Sequence, residues 1–86
     1  MSLRNMTDQA PTTHELDARR MLCPMPVIRT QDKIKTLQPG SLLRVYCTDP
    51  GVKADIPTWC RINGHSVVAI EEQAQEIQIT IEVGAD

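Results

Sequence analysis

The sequence predicts an α/β (α+β) two-layer sandwich, in which a four-stranded mixed sheet carries two helices on one face. Strand-like and helix-like segments alternate in the order β-α-β-α-β-β. Each β-α-β unit implies a crossover between parallel strands. The last segment, 76–83, alternates apolar and polar residues without a fault, so only one face of the sheet is expected to be buried.

A strand, a helix and a second strand are predicted in the first half of the chain. The first strand covers 14–18, the helix about 24–38, and the second strand 41–48, which is rich in Leu, Val and Tyr. The helix is amphipathic, because three apolar residues share one of its faces. These are Val27, Ile34 and Leu37.

A second helix follows the turn at 49–51 and ends at Asn63-Gly64, a good C-terminal stop. Because Pro57 is tolerated best in a first turn, the regular helix is expected to begin near Asp55. Its apolar stripe consists of Val52, Ile56, Trp59 and Cys60.

Two strands complete the predicted domain. They cover 65–72 and 76–83 and are joined by a hairpin turn at 73–75, which lacks the usual Asn-Gly or Asp-Gly signal. We expect a disordered tail over 1–13, which is polar and aperiodic, and a single domain over 14–86.

Composition excludes several classes of function. The chain has 86 residues, with 9 Lys and Arg against 11 Asp and Glu, and a net charge of −2. Proteins that bind nucleic acids by neutralising backbone phosphates are usually strongly basic, so no direct nucleic-acid binding is expected. No apolar run approaches the ~20 residues that span a bilayer, so we expect no membrane partner and a cytoplasmic location. The three cysteines match no zinc spacing and cannot form a closed disulfide framework, so neither a metal nor another cofactor is expected.

The three cysteines are predicted to differ. Cys60 lies on the apolar stripe of the second helix and is interpreted as a small core residue. Cys47 ends the second strand and is either a core residue or a second thiol near Cys23. Cys23 follows the first strand and therefore lies at the carboxyl edge of the sheet, where open α/β sheets place their sites. His14 and His65 open strands at the opposite edge, so a catalytic Cys-His pair is not expected.

The Cys-Pro-x-Pro segment is interpreted as the start of the first helix. Cys23 is expected to be the N-cap, with Pro24 at the first and Pro26 at the third helical position. The N–H groups of Met25 and Val27 would then be free to stabilise a thiolate, together with the helix dipole. Cysteine is a poor cap, so a reactive thiol is favoured over a purely structural one.

Six short segments of the chain form a recognisable set: Leu16-Asp17-Ala18-Arg19, Cys23-Pro24-Met25-Pro26, Leu37-Gln38-Pro39-Gly40, Asp49-Pro50, Asp55-Ile56-Pro57 and Gly64-His65. Together they resemble the TusA/SirA-like sulfur-carrier, or sulfurtransferase, family over about residues 14–83. The resemblance implies the same two-layer fold. It also implies that Cys23 carries a persulfide sulfur from a cysteine desulfurase or rhodanese-type donor to an acceptor relay protein. In characterised members the sulfur goes to tRNA 2-thiolation, and other members serve sulfur oxidation or selenium metabolism.

The resemblance also bears on residues near Cys23. Asp49 matches an acidic residue of the family that lies near the cysteine, although it could equally cap the second helix. Arg20 stands where the family commonly has glycine. Arg19 and Arg20 are expected either to lower the pKa of the Cys23 thiol and offer a basic edge to an acidic partner, or to be solvated.

Two other functions remain open from the sequence. A thiol–disulfide redox protein would use Cys23 with Cys47 and needs their Cα atoms within about 7 Å. A non-catalytic RNA-binding or regulatory module is the other alternative, although the charge and the scarcity of aromatic residues disfavour it. Whether sulfur transfer here counts as enzymatic or as pure carriage also stays open.

Overall fold

The computed structural model describes residues 12–84 as a four-stranded sheet with two helices. The strands are β1 (Thr13–Ala18), β2 (Leu42–Cys47), β3 (Ser66–Gln73) and β4 (Glu76–Glu82), and the helices are α1 (Met25–Ile34) and α2 (Val52–Ile62). The predicted fold class and element order are confirmed. The predicted tail lies outside the described residues, except for residues 12 and 13, and Thr13 already belongs to β1.

The strand order across the sheet is β1-β2-β4-β3. β1 and β2 are parallel, whereas β4 pairs antiparallel with β2 on one side and with β3 on the other. The chain therefore passes from β2 through α2 to an edge strand and returns along β4 into the centre. The ends of β1 and β2 are in register, with Ala18 opposite Cys47.

The core lies between the sheet and the helices. In β4 the predicted inward face is confirmed, because Ile77, Ile79 and Ile81 are buried. β2 alternates in the same way, and its inward residues are Leu43, Val45 and Cys47. Burying each large aliphatic side chain contributes about 1.5–3 kcal/mol, so these two central strands supply much of the stability.

Both helices cover the same face of the sheet. α1 packs on β1 and β2, α2 packs on β3 and β4, and the helices contact each other. α1 is shorter than predicted, because regular helix ends at Ile34 and a looser turn continues to Leu37. None of the helices in residues 12–84 is long and apolar enough to cross a membrane.

The predicted start of α2 near Asp55 is wrong, since the helix begins at Val52. Pro57 lies inside the helix and has no N–H to donate to the carbonyl of Lys53, four residues earlier. Burial of the predicted stripe holds the first turns in helical geometry despite this lost bond. The predicted stop is confirmed, because Gly64 has a φ of 84° and the next N–H, of His65, closes on the carbonyl of Cys60 at 2.8 Å.

Candidate functional site

Cys23 lies in a turn between β1 and α1, where its side chain is exposed. The N–H of Met25 donates to the carbonyl of Leu22 at 2.9 Å, and this bond closes the turn. α1 therefore begins at Met25, with Pro24 as N-cap and Pro26 at the second helical position. The prediction that Cys23 itself is the N-cap is wrong, because the residue lies inside this preceding turn.

Two hydrogen bonds fasten this loop to the loop that follows β2. The N–H of Arg20 donates to Thr48 Oγ1 at 2.9 Å, and the N–H of Cys23 donates to Asp49 Oδ2 at 3.2 Å. The expected meeting of the two loops at the carboxyl edge is confirmed. The backbone that carries the thiol is thus held by the end of the neighbouring parallel strand.

Asp49 contacts both the Cys23 loop and the start of the second helix, the two places that the sequence suggests for it. One carboxylate oxygen accepts the N–H of Cys23, and the other accepts the N–H of Gly51 at 3.1 Å. Gly51 is the N-cap of α2, so the carboxylate orders the turn that leads into that helix but does not cap its first N–H groups. Asp49 therefore couples the start of α2 to the Cys23 turn.

Asp55 contacts the sulfur directly, and the sequence reasoning missed it as a site residue. The Cys23 thiol donates to Asp55 Oδ2 across 3.2 Å. In the sequence, Asp55 stands out only as part of the Asp55-Ile56-Pro57 segment, and it is 32 residues away from Cys23. With α2 beginning at Val52, Asp55 lies one turn into the helix, near the same edge as Cys23.

The pKa of the Cys23 thiol is raised above its usual value. The main cause is the hydrogen bond to Asp55, followed by partial desolvation and by the negative charges of Asp55 and Asp49. Of the two alternatives for Arg19 and Arg20, the one in which they lower this pKa is therefore wrong. Arg19 is engaged elsewhere, with Nε 2.9 Å from Asp17 and Nη1 3.2 Å from Glu76.

The prediction that the N–H groups of Met25 and Val27 are free to stabilise a Cys23 thiolate is also wrong. The N–H of Met25 is paired with Leu22, and the N–H of Val27 donates to the carbonyl of Pro24 at 3.1 Å. The turn before the helix therefore supplies the carbonyls that accept both N–H groups. Pro26 is buried, whereas Pro24 is exposed.

The other two thiols are buried and unreactive in character. Cys47 and Cys60 are 0% and 1% exposed, and burial raises the pKa of each thiol to about 11. The interpretation of Cys60 as a core residue is confirmed, and Cys47 proves to be a core residue as well. All three cysteines are free thiols. A redox pair of Cys23 and Cys47 would therefore need a core thiol as its second member.

Comparison with known proteins identifies the family. Residues 14–83 match the family model described as Sulfurtransferase TusA. The chain belongs to the TusA family. It is 43% identical over 74 residues to the sulfur carrier protein TusA of Pseudomonas syringae pv. syringae, covering 86% of this chain and 81% of the relative. It is 33% identical over 69 residues to the putative sulfur carrier protein YrkI of Bacillus subtilis, covering 80% of this chain and 92% of the relative.

A solved structure supports the TusA-family fold. The crystal structure of a SirA-like protein from Desulfitobacterium hafniense superposes with a TM-score of 0.70 at 23% sequence identity. The match covers 85% of this chain and 97% of that protein. At this identity the likeness shows the fold alone.

Neither histidine of this TusA-family chain reaches Cys23. His14 Nε2 lies 2.8 Å from Thr12 Oγ1 at the start of β1. His65 Nδ1 accepts the N–H of Gly84 at 2.9 Å, and its ring stacks on Trp59 with centroids 5.3 Å apart. Both are explained by local structure, as expected from their positions at strand starts.

The surface around the thiol is open and partly apolar. Leu22 and Met25, on either side of the Cys23-Pro24 pair, are 75% and 42% exposed. An open cleft of about 680 Å³ lies beside the loop, but Cys23 does not line it. Its lining residues are Asp17, Arg19, Arg20, Thr48, Gln75 and Glu76. Within residues 12–84, no three His, Cys, Asp or Glu side chains gather where they could hold a metal.

Proposed function

We propose that this chain is a sulfur carrier that holds a sulfane sulfur on Cys23 as a persulfide. The observation that carries the proposal is the contrast among its three thiols. Cys23 is exposed in a fastened turn, whereas Cys47 and Cys60 are buried. The relatives named as sulfur carrier proteins favour the same reading.

The transfer needs no oxidant and no cofactor. The Cys23 thiolate attacks the terminal sulfur of a persulfide on the donor protein. A new S–S bond forms to Cys23 while the donor's S–S bond breaks, and the donor cysteine leaves as a thiolate that takes up the proton released by Cys23. Delivery repeats the same exchange, with an acceptor cysteine attacking the terminal sulfur of the Cys23 persulfide.

The donor is proposed to be a cysteine desulfurase or a rhodanese-type protein, and the acceptor a relay protein. The acceptor route is tRNA 2-thiolation or another sulfur-trafficking pathway. An exposed sulfur that does not line the cleft beside its loop suits exchange between two protein surfaces. The exposed Leu22 and Met25 give a docking partner apolar area to cover at the thiol.

Radiolabelled cysteine and a cysteine desulfurase test the proposal. We expect wild type to acquire labelled sulfur and Cys23→Ser to acquire none. Cys60→Ala is the matched control, because it removes a thiol from the core and should keep the label. Labelling of Cys23→Ser to the wild-type level would contradict the proposal.

A further inference from the structure

Two carboxylates contact Cys23, one at its sulfur and one at its backbone nitrogen. Asp55 Oδ2 lies 3.2 Å from Sγ, and Asp49 Oδ2 lies 3.2 Å from the Cys23 nitrogen. Gly51 lies between them, since a Cβ built on it would be 3.5 Å from Asp49 Oδ1 and 3.8 Å from Asp55 Oδ2. The exposed thiol is therefore flanked by two acids held on the start of α2 and on the loop before it.

This acid pair has no cationic partner within residues 12–84. The ion pairs there join Arg19 to Asp17 and Glu76, Arg44 to Glu15, and Lys53 to Glu72. Lys53, the basic residue between Asp49 and Asp55 in sequence, thus pairs with β3 instead. The two carboxylates leave a negative charge uncompensated at the one exposed thiol.

The hydrogen bond between Cys23 and Asp55 favours the protonated sulfur. A carboxylate is a much weaker base than a thiolate, so the proton stays on Sγ. Loss of that proton would place two anions 3.2 Å apart and would replace an attractive contact with a repulsive one. The free protein therefore resists forming the nucleophile that sulfur transfer requires.

We propose that Asp55 is a positioning residue that keeps Cys23 protonated in the free carrier, and that a lysine or arginine of the docked sulfur donor pairs with Asp49 and Asp55 to release the thiolate. This inference rests on the proposed function. A cation at the acid pair turns the repulsion into a compensated pair. Covering Leu22 and Met25 at the same time excludes water, which strengthens that pairing.

The first test measures how alkylation of Cys23 by iodoacetamide depends on pH. The variants are Asp55→Asn and Asp55→Ala, and Asp32→Asn, an exposed acid of α1, is the matched control. Cys47 and Cys60 should contribute little to the alkylation, because their thiols are buried and their pKa is raised to about 11. Trp59 fluorescence reports whether each variant is folded.

Both Asp55 variants should shift the alkylation profile to lower pH and react about threefold faster near pH 7. The gain in thiolate outweighs the accompanying fall in nucleophilicity, because on a logarithmic scale nucleophilicity changes only about half as much as the thiolate fraction. The Asp32 control should match wild type. Slower alkylation of the Asp55 variants would show that Asp55 acts as a base that removes the thiol proton. An unchanged profile would show that Asp55 does not affect the protonation of Cys23. Either result overturns the inference.

The second test measures sulfur transfer from a persulfidated cysteine desulfurase between about 50 mM and about 500 mM KCl. Transfer to wild type and to Asp32→Asn should slow as salt rises. An Asp49→Asn/Asp55→Asn double variant should lose most of that dependence. A wild-type salt response in the double variant would overturn the role of a partner cation. These failures are separate from a failure of the carrier function, which only labelling of Cys23→Ser would show.

Discussion

Cys23 is set apart from Cys47 and Cys60 by the groups that reach its sulfur. Its motif and its place after β1 could be predicted from neighbours in the chain. The direction of its pKa shift could not, because Asp49 and Asp55 are 26 and 32 residues away in sequence. Reasoning from adjacent arginines and N–H groups therefore predicted the wrong sign.

Arg20 offers a test of the backbone that leads to Cys23. Its φ is 67°, in the left-handed region that glycine adopts without a steric penalty. We expect Arg20→Gly to be about 0.5–1 kcal/mol more stable than Arg20→Ala in urea unfolding, since both lose the side chain but only alanine keeps a Cβ. Equal stability of the two variants would show that this turn is not strained.

At the scale of elements, strand patterns are predictable and helix starts are less so. The alternation in β4 predicted its buried face, because a strand exposes one side-chain set to each face. The start of α2 was misplaced because local preference disfavours Pro57 inside a helix, whereas burial of Val52 and Ile56 outweighs it. Asp55, which contacts Cys23, lies in this first turn of α2.

The turn between β3 and β4 gives a prediction at the same scale. Ala74 has a φ of 54°, so alanine adopts here the left-handed backbone that Asn-Gly or Asp-Gly turns adopt more easily. The turn forms without that signal, but at a cost in conformational free energy. Ala74→Gly should raise the free energy of unfolding by about 0.5–1 kcal/mol, because it relieves the left-handed strain.

Ala69→Gly in β3 is the matched control for that change. Ala69 lies in β3 next to a shift in the register with β4, but its φ is not positive, so the same substitution should lower the free energy of unfolding. Urea titration of the two variants measures both effects. A decrease of similar size for Ala74→Gly would contradict the strain at the turn.

At the scale of the whole molecule, one core layer holds the fold together. Its buried members come from β1, β2, β4 and both helices, and Val67 of β3 packs against them. Two of the members are the thiols of Cys47 and Cys60. A buried thiol is stable only while neutral, because the interior does not solvate a thiolate. The free energy of unfolding should therefore fall when the pH becomes alkaline enough to deprotonate these thiols.

The sign of that dependence follows from the pKa values. In the folded chain Cys47 and Cys60 keep their protons up to a pKa of about 11, whereas in the unfolded chain they lose them above the ordinary value of 9.0. The unfolded state then binds fewer protons, so stability is full below pH 9.0 and falls as the pH rises towards about 11. Each thiol should account for a loss of about 2 kcal/mol over that window.

Urea unfolding at increasing pH measures this loss. The Cys47→Ala/Cys60→Ala double variant should begin less stable near neutral pH, because each substitution leaves a small void. It should nevertheless lose less stability than wild type as the pH rises. Parallel pH profiles would contradict the assignment, since the two proteins differ only in these two thiols.

The sequence by itself determined the elements, the buried face of the sheet, the two-layer class and Cys23 as the candidate sulfur. These follow from side-chain period and from chain order, which are local properties. Only the tertiary structure decided that β4 enters between β2 and β3 and that Asp49 and Asp55 meet the Cys23 turn. Both depend on contacts between residues far apart in the chain, which no local spacing records. Such contacts set the electrostatics, and so the acidity, of the one exposed thiol.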